Sequence, residues 1–415
     1  MARRLGTILM ALALLVVGGA SHVFAHGEAG DQPFLKNMTT AFYDVSITPT
    51  EVEVGQPVTV TGTVKVLETW PRTLEEPSIA SLVPVVPGPV FVLKDRVIND
   101  QTSVGSFFVE KGGIYQFKLV LLGKEPGNWH VHPGLAMSGT GTLVGPGEWV
   151  TVKKGAKPFE FPVTLLNGQT IELSTYGGQF AWWWSFIGFL LGMVWMIYWT
   201  FTKRTVTNLA VTAQLAVNDD APDIGLITPR DHMWMNIIAG VTVALLIIGW
   251  TYAATSYPVR WPQQTDWITP RPISSGPHLA EVSTNGATYD EATDTFTMKV
   301  QVKNVGDSAL TLNRVVIGMA TFVPGGEAEQ AKAGPKEFVG SLAVEPKDAI
   351  EPGATKDLTL TISSMIFSTA RLIPLKDPQQ FAASLLRFEN AQGAQQLVTV
   401  RSSVVPTQFR GQFLP

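Results

Sequence analysis

Two long apolar runs without a charged side chain constrain this chain more than any other feature. They occupy residues 180–202 and 233–255 of 415. Each is long enough to cross the hydrocarbon core of a bilayer as a helix, and a core helix of a soluble protein rarely runs so far without a charge. Tryptophans gather in them, at Trp182, Trp183, Trp184, Trp195, Trp199, Trp234 and Trp250, as expected where indole rings meet a lipid interface. The rest of the chain must therefore fold as separate soluble parts on either side of a membrane hairpin.

A third apolar run, from Leu5 to about Ala20, follows Arg3 and Arg4 and ends at Val23-Phe24-Ala25. This is the pattern of a secretory signal, which predicts removal of residues 1–25 and a mature chain beginning at His26. An uncleaved anchor is the alternative. With export of the amino-terminal region, the first span returns inward, residues 203–232 form a cytoplasmic loop, and the second span leads out again. Lys203, Arg204 and Arg230 flank that loop, in keeping with the positive-inside tendency. Both large soluble parts are expected on the exported, periplasmic side of the inner membrane.

Those soluble parts read as β structure. The chain holds 38 Gly and 28 Pro, and short alternating runs separated by turn residues extend from Tyr43 to about Lys154, the spacing of a β-sandwich. Expected strands are Val58–Val66, Pro89–Leu93, Gly113–Leu122, Trp129–His132 and Glu148–Val152, with a further pair around Pro162–Leu173 in the connector of residues 156–179. After the second span, residues 256–276 form a Pro- and Trp-rich connector. A second β domain, residues 277–415, follows. In it, Phe296–Val302 alternates apolar and polar residues up to the turn Asn304-Val305-Gly306-Asp307. The stretch Ile350–Thr361 echoes Val52–Thr61, which hints at two copies of one β module.

Composition excludes several functions. The net charge of −4 is scattered, so there is no electrostatic footprint for nucleic acid. Cysteine is absent. Disulfides, thiol catalysis, zinc fingers and a thiolate-ligated blue-copper centre go with it.

A nitrogen-ligated metal site remains open. His130 and His132 are two residues apart on an expected strand, so their side chains leave the same face. A terminal His26 would add an α-amino group and a third imidazole. Such donors suit Cu(II), although zinc with three nitrogens and a water is also consistent. Glu28 is a candidate to orient an imidazole or a water, while Trp129 reads as a packing residue. His22 leaves with the signal, His232 lies at the cytoplasmic mouth of the second span, and His278 stands alone at the entrance of the second β domain. That domain is expected to pack against partners.

The fragments His26-Gly27-Glu28 with Pro33-Phe34-Leu35, Thr69-Trp70-Pro71-Arg72, Pro89-Val90-Phe91-Val92, His130-Val131-His132 and Gly145-Pro146-Gly147-Glu148-Trp149, with two spans set between two β domains, form one ordered set. In it the chain resembles the B subunit of the copper membrane monooxygenases, which oxidise methane, ammonia or short-chain hydrocarbons. The resemblance implies a mainly β fold in which two cupredoxin-like domains, residues 26–155 and 277–415, are joined by two transmembrane helices. It implies copper held by His26, His130 and His132, and assembly with subunits A and C as a trimer of heterotrimers that hydroxylates a small substrate with dioxygen. Some methane-oxidising relatives carry a further histidine where this chain has Ala41, so a second amino-terminal copper site of that kind is not expected. The competing reading is a membrane-anchored exported copper carrier or assembly factor. Carriers of that type tend to have methionine-rich loops, whereas Met193, Met196, Met233 and Met235 here lie in the spans.

Overall fold

The computed structural model describes residues 33–198, 201, 229–259, 264–270, 278–373 and 381–408. It divides into two compact units: Met1–Pro158 with Pro262–Pro415, and Phe159–Trp261.

The larger unit is built of strands. A five-stranded sheet runs in the order Thr40–Thr48, Pro57–Val66, Ile114–Gly123, Phe91–Ile98, Gln101–Thr102. A second sheet runs in the order Thr265–Asp266, Ser106–Phe108, Ile79–Val85, Gly127–Met137, Glu148–Lys153, Glu51–Glu53, with Gly141–Val144 also paired to Gly127–Met137. Their facing sides share one apolar core that includes Val58, Val60, Phe117, Leu119, Val131, Leu135 and Val150. Strands form here because apolar residues recur at every second position, and burial on one face then sets the register.

The later strands form a single nine-stranded sheet that folds back on itself. Gln395–Gln408 makes this possible: it pairs antiparallel with Phe381–Asn390 through Ser403, then parallel with Ala280–Asp290 from Val404 onward. One strand thus joins both leaves, and Phe296, Met298, Val300, Phe322, Leu360 and Phe388 fill the core between them. The predicted alternation of Phe296–Val302 is seen within Thr295–Asn304, where Phe296, Met298, Val300 and Val302 are all buried. The echoed segments do share a local shape. Gly55 and Gly353 both sit at positive φ, +86° and +74°, in the turns that lead into Pro57–Val66 and Thr355–Ser363. A side chain at either position would be strained.

The two β regions pack against each other within this unit. Met38, Ala41, Tyr43 and Leu67 form an apolar cluster with Val316, Ala383 and Leu385. Around it, the Phe42 N–H donates to Gly318 O (2.8 Å), Asn37 Nδ2 to Leu372 O (2.6 Å) and Lys36 Nζ to Ala370 O (2.7 Å). Lys65, buried on the outer side of the five-stranded sheet, reaches Thr399 Oγ1 at 2.5 Å and Glu68 at 2.9 Å. Asp44, at φ +51°, pairs with Arg314 and lies 3.7 Å from Arg387.

The smaller unit holds a hairpin, Pro162–Thr164 with Thr170–Glu172, and two helices, Gly178–Tyr198 and Pro229–Ser256. At 1.5 Å per residue the helices are about 32 and 42 Å long, enough to cross a bilayer. They touch near one end, where Phe180 meets Tyr252 at 5.2 Å. At the other end Tyr198 Oη donates to Asp231 Oδ1 at 2.5 Å. Gly249 allows the approach between these points, since a Cβ there would lie 2.1 Å from the Trp184 ring. Trp182, Trp183 and Trp250 are exposed, an apolar surface that calls for lipid or further helices.

Candidate functional site: a histidine pair beneath a turn

His130 and His132 lie on Gly127–Met137, a central strand of the seven-stranded sheet. Alternation sends Val131, Leu135 and Met137 into the sandwich core and turns both histidines to the opposite, outer face. An outer face is ordinarily wet, yet His130 and His132 are only 8% and 3% exposed. The cover comes from the nine-stranded region. Phe338 lies against both imidazoles, its ring 6.5 Å from His130 and 6.0 Å from His132. Phe338 is anchored in the core of that region.

The two rings meet edge to face, with centroids 4.3 Å apart and planes at 81°. His132 Nε2 and His130 Nδ1 are 2.9 Å apart. His132 Nδ1 lies 2.8 Å from Gly145 O; because a carbonyl only accepts, Nδ1 carries the proton and Nε2 presents a lone pair. The loop supplying that carbonyl crosses tightly over the ring. A Cβ on Gly147 would lie 2.5 Å from His132 Cε1 and Nδ1, so any larger residue would displace the imidazole.

Trp149 is the direct cross-strand partner of His130 and stacks on it at 4.8 Å and 27°. Its Nε1–H donates to Glu337 Oε1 at 3.0 Å, and Glu337 Oε2 stands 3.4 Å from His130 Nε2. Glu337 and Phe338 belong to the short 3₁₀ turn Lys336–Phe338. Neither was signalled by the sequence, since about 200 residues and two apolar runs separate them from the histidines. Trp149 ends the fragment Gly145–Trp149, and strand pairing would have placed it beside His130. Trp129 packs as expected: it lies against the first core, its Nε1–H donating to Glu125 O at 2.9 Å.

The structure therefore brings His130 and His132 together. His22, His26 and Glu28 lie outside the described residues. Among the described residues, no group of three or more His, Cys, Asp or Glu side chains is arranged to hold a metal ion. His232 is exposed at the start of the second long helix, and His278, also exposed, faces Gln396 and Glu281.

The pair itself fits a metal with nitrogen donors. The 2.9 Å between His132 Nε2 and His130 Nδ1 is that of an imidazole hydrogen bond, and the same two nitrogens would become neighbouring donors to one ion once the shared proton is lost. The Gly145 carbonyl selects the tautomer that leaves a lone pair on His132 Nε2.

A family model for the B subunit protein of monooxygenases matches residues 27–408. The particulate methane monooxygenase alpha subunit of Methylococcus capsulatus is 29% identical over 387 residues, 92% of each chain. Among solved structures, the cupredoxin domain of amoB from Nitrosocaldus yellowstonii is 19% identical and covers 32% of this chain and 99% of its own, at a TM-score of 0.25. A cohesin module from Clostridium perfringens covers 28% of this chain and 99% of its own, at 14% identity and a TM-score of 0.18. At such scores neither structural likeness carries weight.

Proposed function

The chain belongs to the monooxygenase B-subunit family, and from that membership we propose that it is the copper-holding component of a membrane monooxygenase. In this reading His130 Nδ1 and His132 Nε2 supply two donors, and the α-amino group and imidazole of a terminal His26 supply the rest. The observation that carries it is the 2.9 Å approach of two imidazole nitrogens on a covered sheet face, in a chain that offers no thiolate. Copper with nitrogen ligands and open positions supplies redox chemistry toward dioxygen. The residues of this chain do the positioning. Gly145 O sets the His132 tautomer, the Gly147 backbone leaves room for its ring, and Trp149 and Phe338 keep bulk water from both imidazoles.

The substrate class is small and unreactive: methane, ammonia or a short-chain hydrocarbon. By the family resemblance, activity requires subunits A and C, assembled with this chain as a trimer of heterotrimers, and the exposed aromatic faces of the two helices leave surface for other helices or lipid. In this reading both β regions lie on the exported side and residues 203–232 in the cytoplasm. The two β regions, 26–155 and 277–415, are read as cupredoxin-like.

Amino-terminal sequencing and copper analysis of the purified complex test the site. A start at His26, and loss of one copper per protomer on joint replacement His130→Ala and His132→Ala, are expected. Unchanged copper content would refute the assignment. For topology, Asp307→Cys in this cysteine-free chain should react with an impermeant reagent in intact cells, and protection would reverse the orientation. The isolated, copper-loaded chain should show no oxygen-dependent turnover of methane, ammonia or short alkanes.

A further inference from the structure

We propose that Glu337 is a positioning residue for the copper site, holding the His130 imidazole through Nε2 from the nine-stranded region. The inference rests on the copper reading of the histidine pair.

The geometry is specific about which nitrogen does what. His130 turns Nδ1 toward His132 Nε2; without metal that Nδ1 donates to the His132 lone pair, and as a neutral copper ligand it would present the Nδ1 lone pair and carry its proton on Nε2 instead. That Nε2 faces Glu337 Oε2 at 3.4 Å, slightly beyond a formed hydrogen bond and within reach of a small carboxylate rotation. The carboxylate is itself steered. Its Oε1 accepts from Trp149 Nε1–H at 3.0 Å, while the same indole stacks on the His130 ring. Carboxylate and indole thus flank the imidazole at its edge and on its face, joined to each other by the Trp149 Nε1–Glu337 Oε1 hydrogen bond.

The turn that carries Glu337 is anchored rather than loose. The Phe338 N–H donates to Pro335 O at 3.0 Å, and the Phe338 side chain is buried in the nine-stranded core. A carboxylate accepting the non-ligating N–H of a metal-bound imidazole raises the basicity of the ligand and fixes its plane. On His132 the other ring nitrogen, Nδ1, faces a neutral carbonyl, Gly145 O. Among the described residues, Glu337 thus sets a charged acceptor at His130 and Gly145 O a neutral one at His132.

Glu337 is about half exposed, 52% for its side chain. As an ordinary surface pair it would contribute little, so a copper observable has to separate the two roles. The test uses the whole purified membrane complex carrying Glu337→Gln, Glu337→Ala or Trp149→Phe, with His130→Ala as reference. Each is stripped of copper, retitrated with copper ion against a competing chelator, and examined by electron paramagnetic resonance for the nitrogen couplings of the Cu(II) signal that His130→Ala removes. Glu337→Gln and Glu337→Ala should each weaken copper retention about tenfold and shift the coupling of one imidazole nitrogen. Trp149→Phe should give a smaller shift in the same direction. Wild-type retention and unchanged couplings in both Glu337 variants, while His130→Ala still loses copper, would overturn the positioning role alone. Unchanged copper in His130→Ala would instead overturn the copper reading, and this inference with it.

Discussion

The two β regions bury their apolar faces in different ways, and the difference explains where the histidines can sit. In the first, two separate sheets face each other, and the sheet containing His130 and His132 keeps an outer face available for chemistry. In the second, one continuous sheet closes on itself through Gln395–Gln408, and it contributes a turn, Lys336–Phe338, to that outer face. One region supplies imidazoles and the other supplies cover and a carboxylate. A site of this kind needs both, because strand alternation alone would leave the histidines in water.

Core truncations of similar size probe this division most strongly. Phe338→Ala should destabilise the β unit by about 3–5 kcal/mol and also release copper, since Phe338 packs in its own core and against both imidazoles. Leu119→Ala, in the core of the first region, should cost about 2–5 kcal/mol and leave copper in place. Thermal unfolding of the solubilised complex alongside metal analysis checks the pair. Equal copper loss in both variants would break the comparison.

Gly147→Ala sharpens it from the side of the histidine loop. The added methyl meets His132 at 2.5 Å, so a cost of about 1–3 kcal/mol is expected from overpacking, together with weaker copper retention. Preserved retention would mean that the ring can shift without harm.

The contacts between the regions should give smaller effects. Asp44→Asn keeps a residue type that tolerates the left-handed backbone but removes the charge facing Arg314 and Arg387. Burial, with Arg314 nearby, already holds the Arg387 guanidinium below its usual pKa, and the loss should be about 1 kcal/mol. It would appear as a lower unfolding temperature at neutral pH.

Glu68→Gln should act mainly in acid. Burial pushes the Glu68 carboxyl up, but the charge and hydrogen bond of Lys65 outweigh it and the net shift is downward. A depressed carboxyl contributes stability that is present above its unfolded pKa, near 4.5, and is lost as pH falls through the folded value. Its half-exposed side chain limits this to about 1 kcal/mol or less. Stability curves of wild type and Glu68→Gln should therefore differ above pH 4.5 and converge below it; a constant gap would discount the pair.

Much of the fold was legible where apolar residues alternate without interruption. Pro57–Val66, Ile114–Gly123, Glu148–Lys153 and Thr295–Asn304 all lie close to the expected positions. Ile79–Val85 was not expected, and Pro84 is the reason: a proline demotes a strand in a sequence reading. The sheet accommodates it by setting Pro84 opposite Pro133, two residues that have no N–H to donate.

The sequence by itself determined that His130 and His132 share a strand face, because side chains two apart on a strand point the same way. It likewise determined the two long apolar helices, because length and lack of charge are properties of the chain alone. Only the tertiary structure decided that the outer face would be buried, that Trp149 would stack on His130, and that Glu337 would stand at its Nε2. Those contacts join residues far apart in the chain through sheet pairing and the packing of one β region on the other, and no local periodicity encodes either.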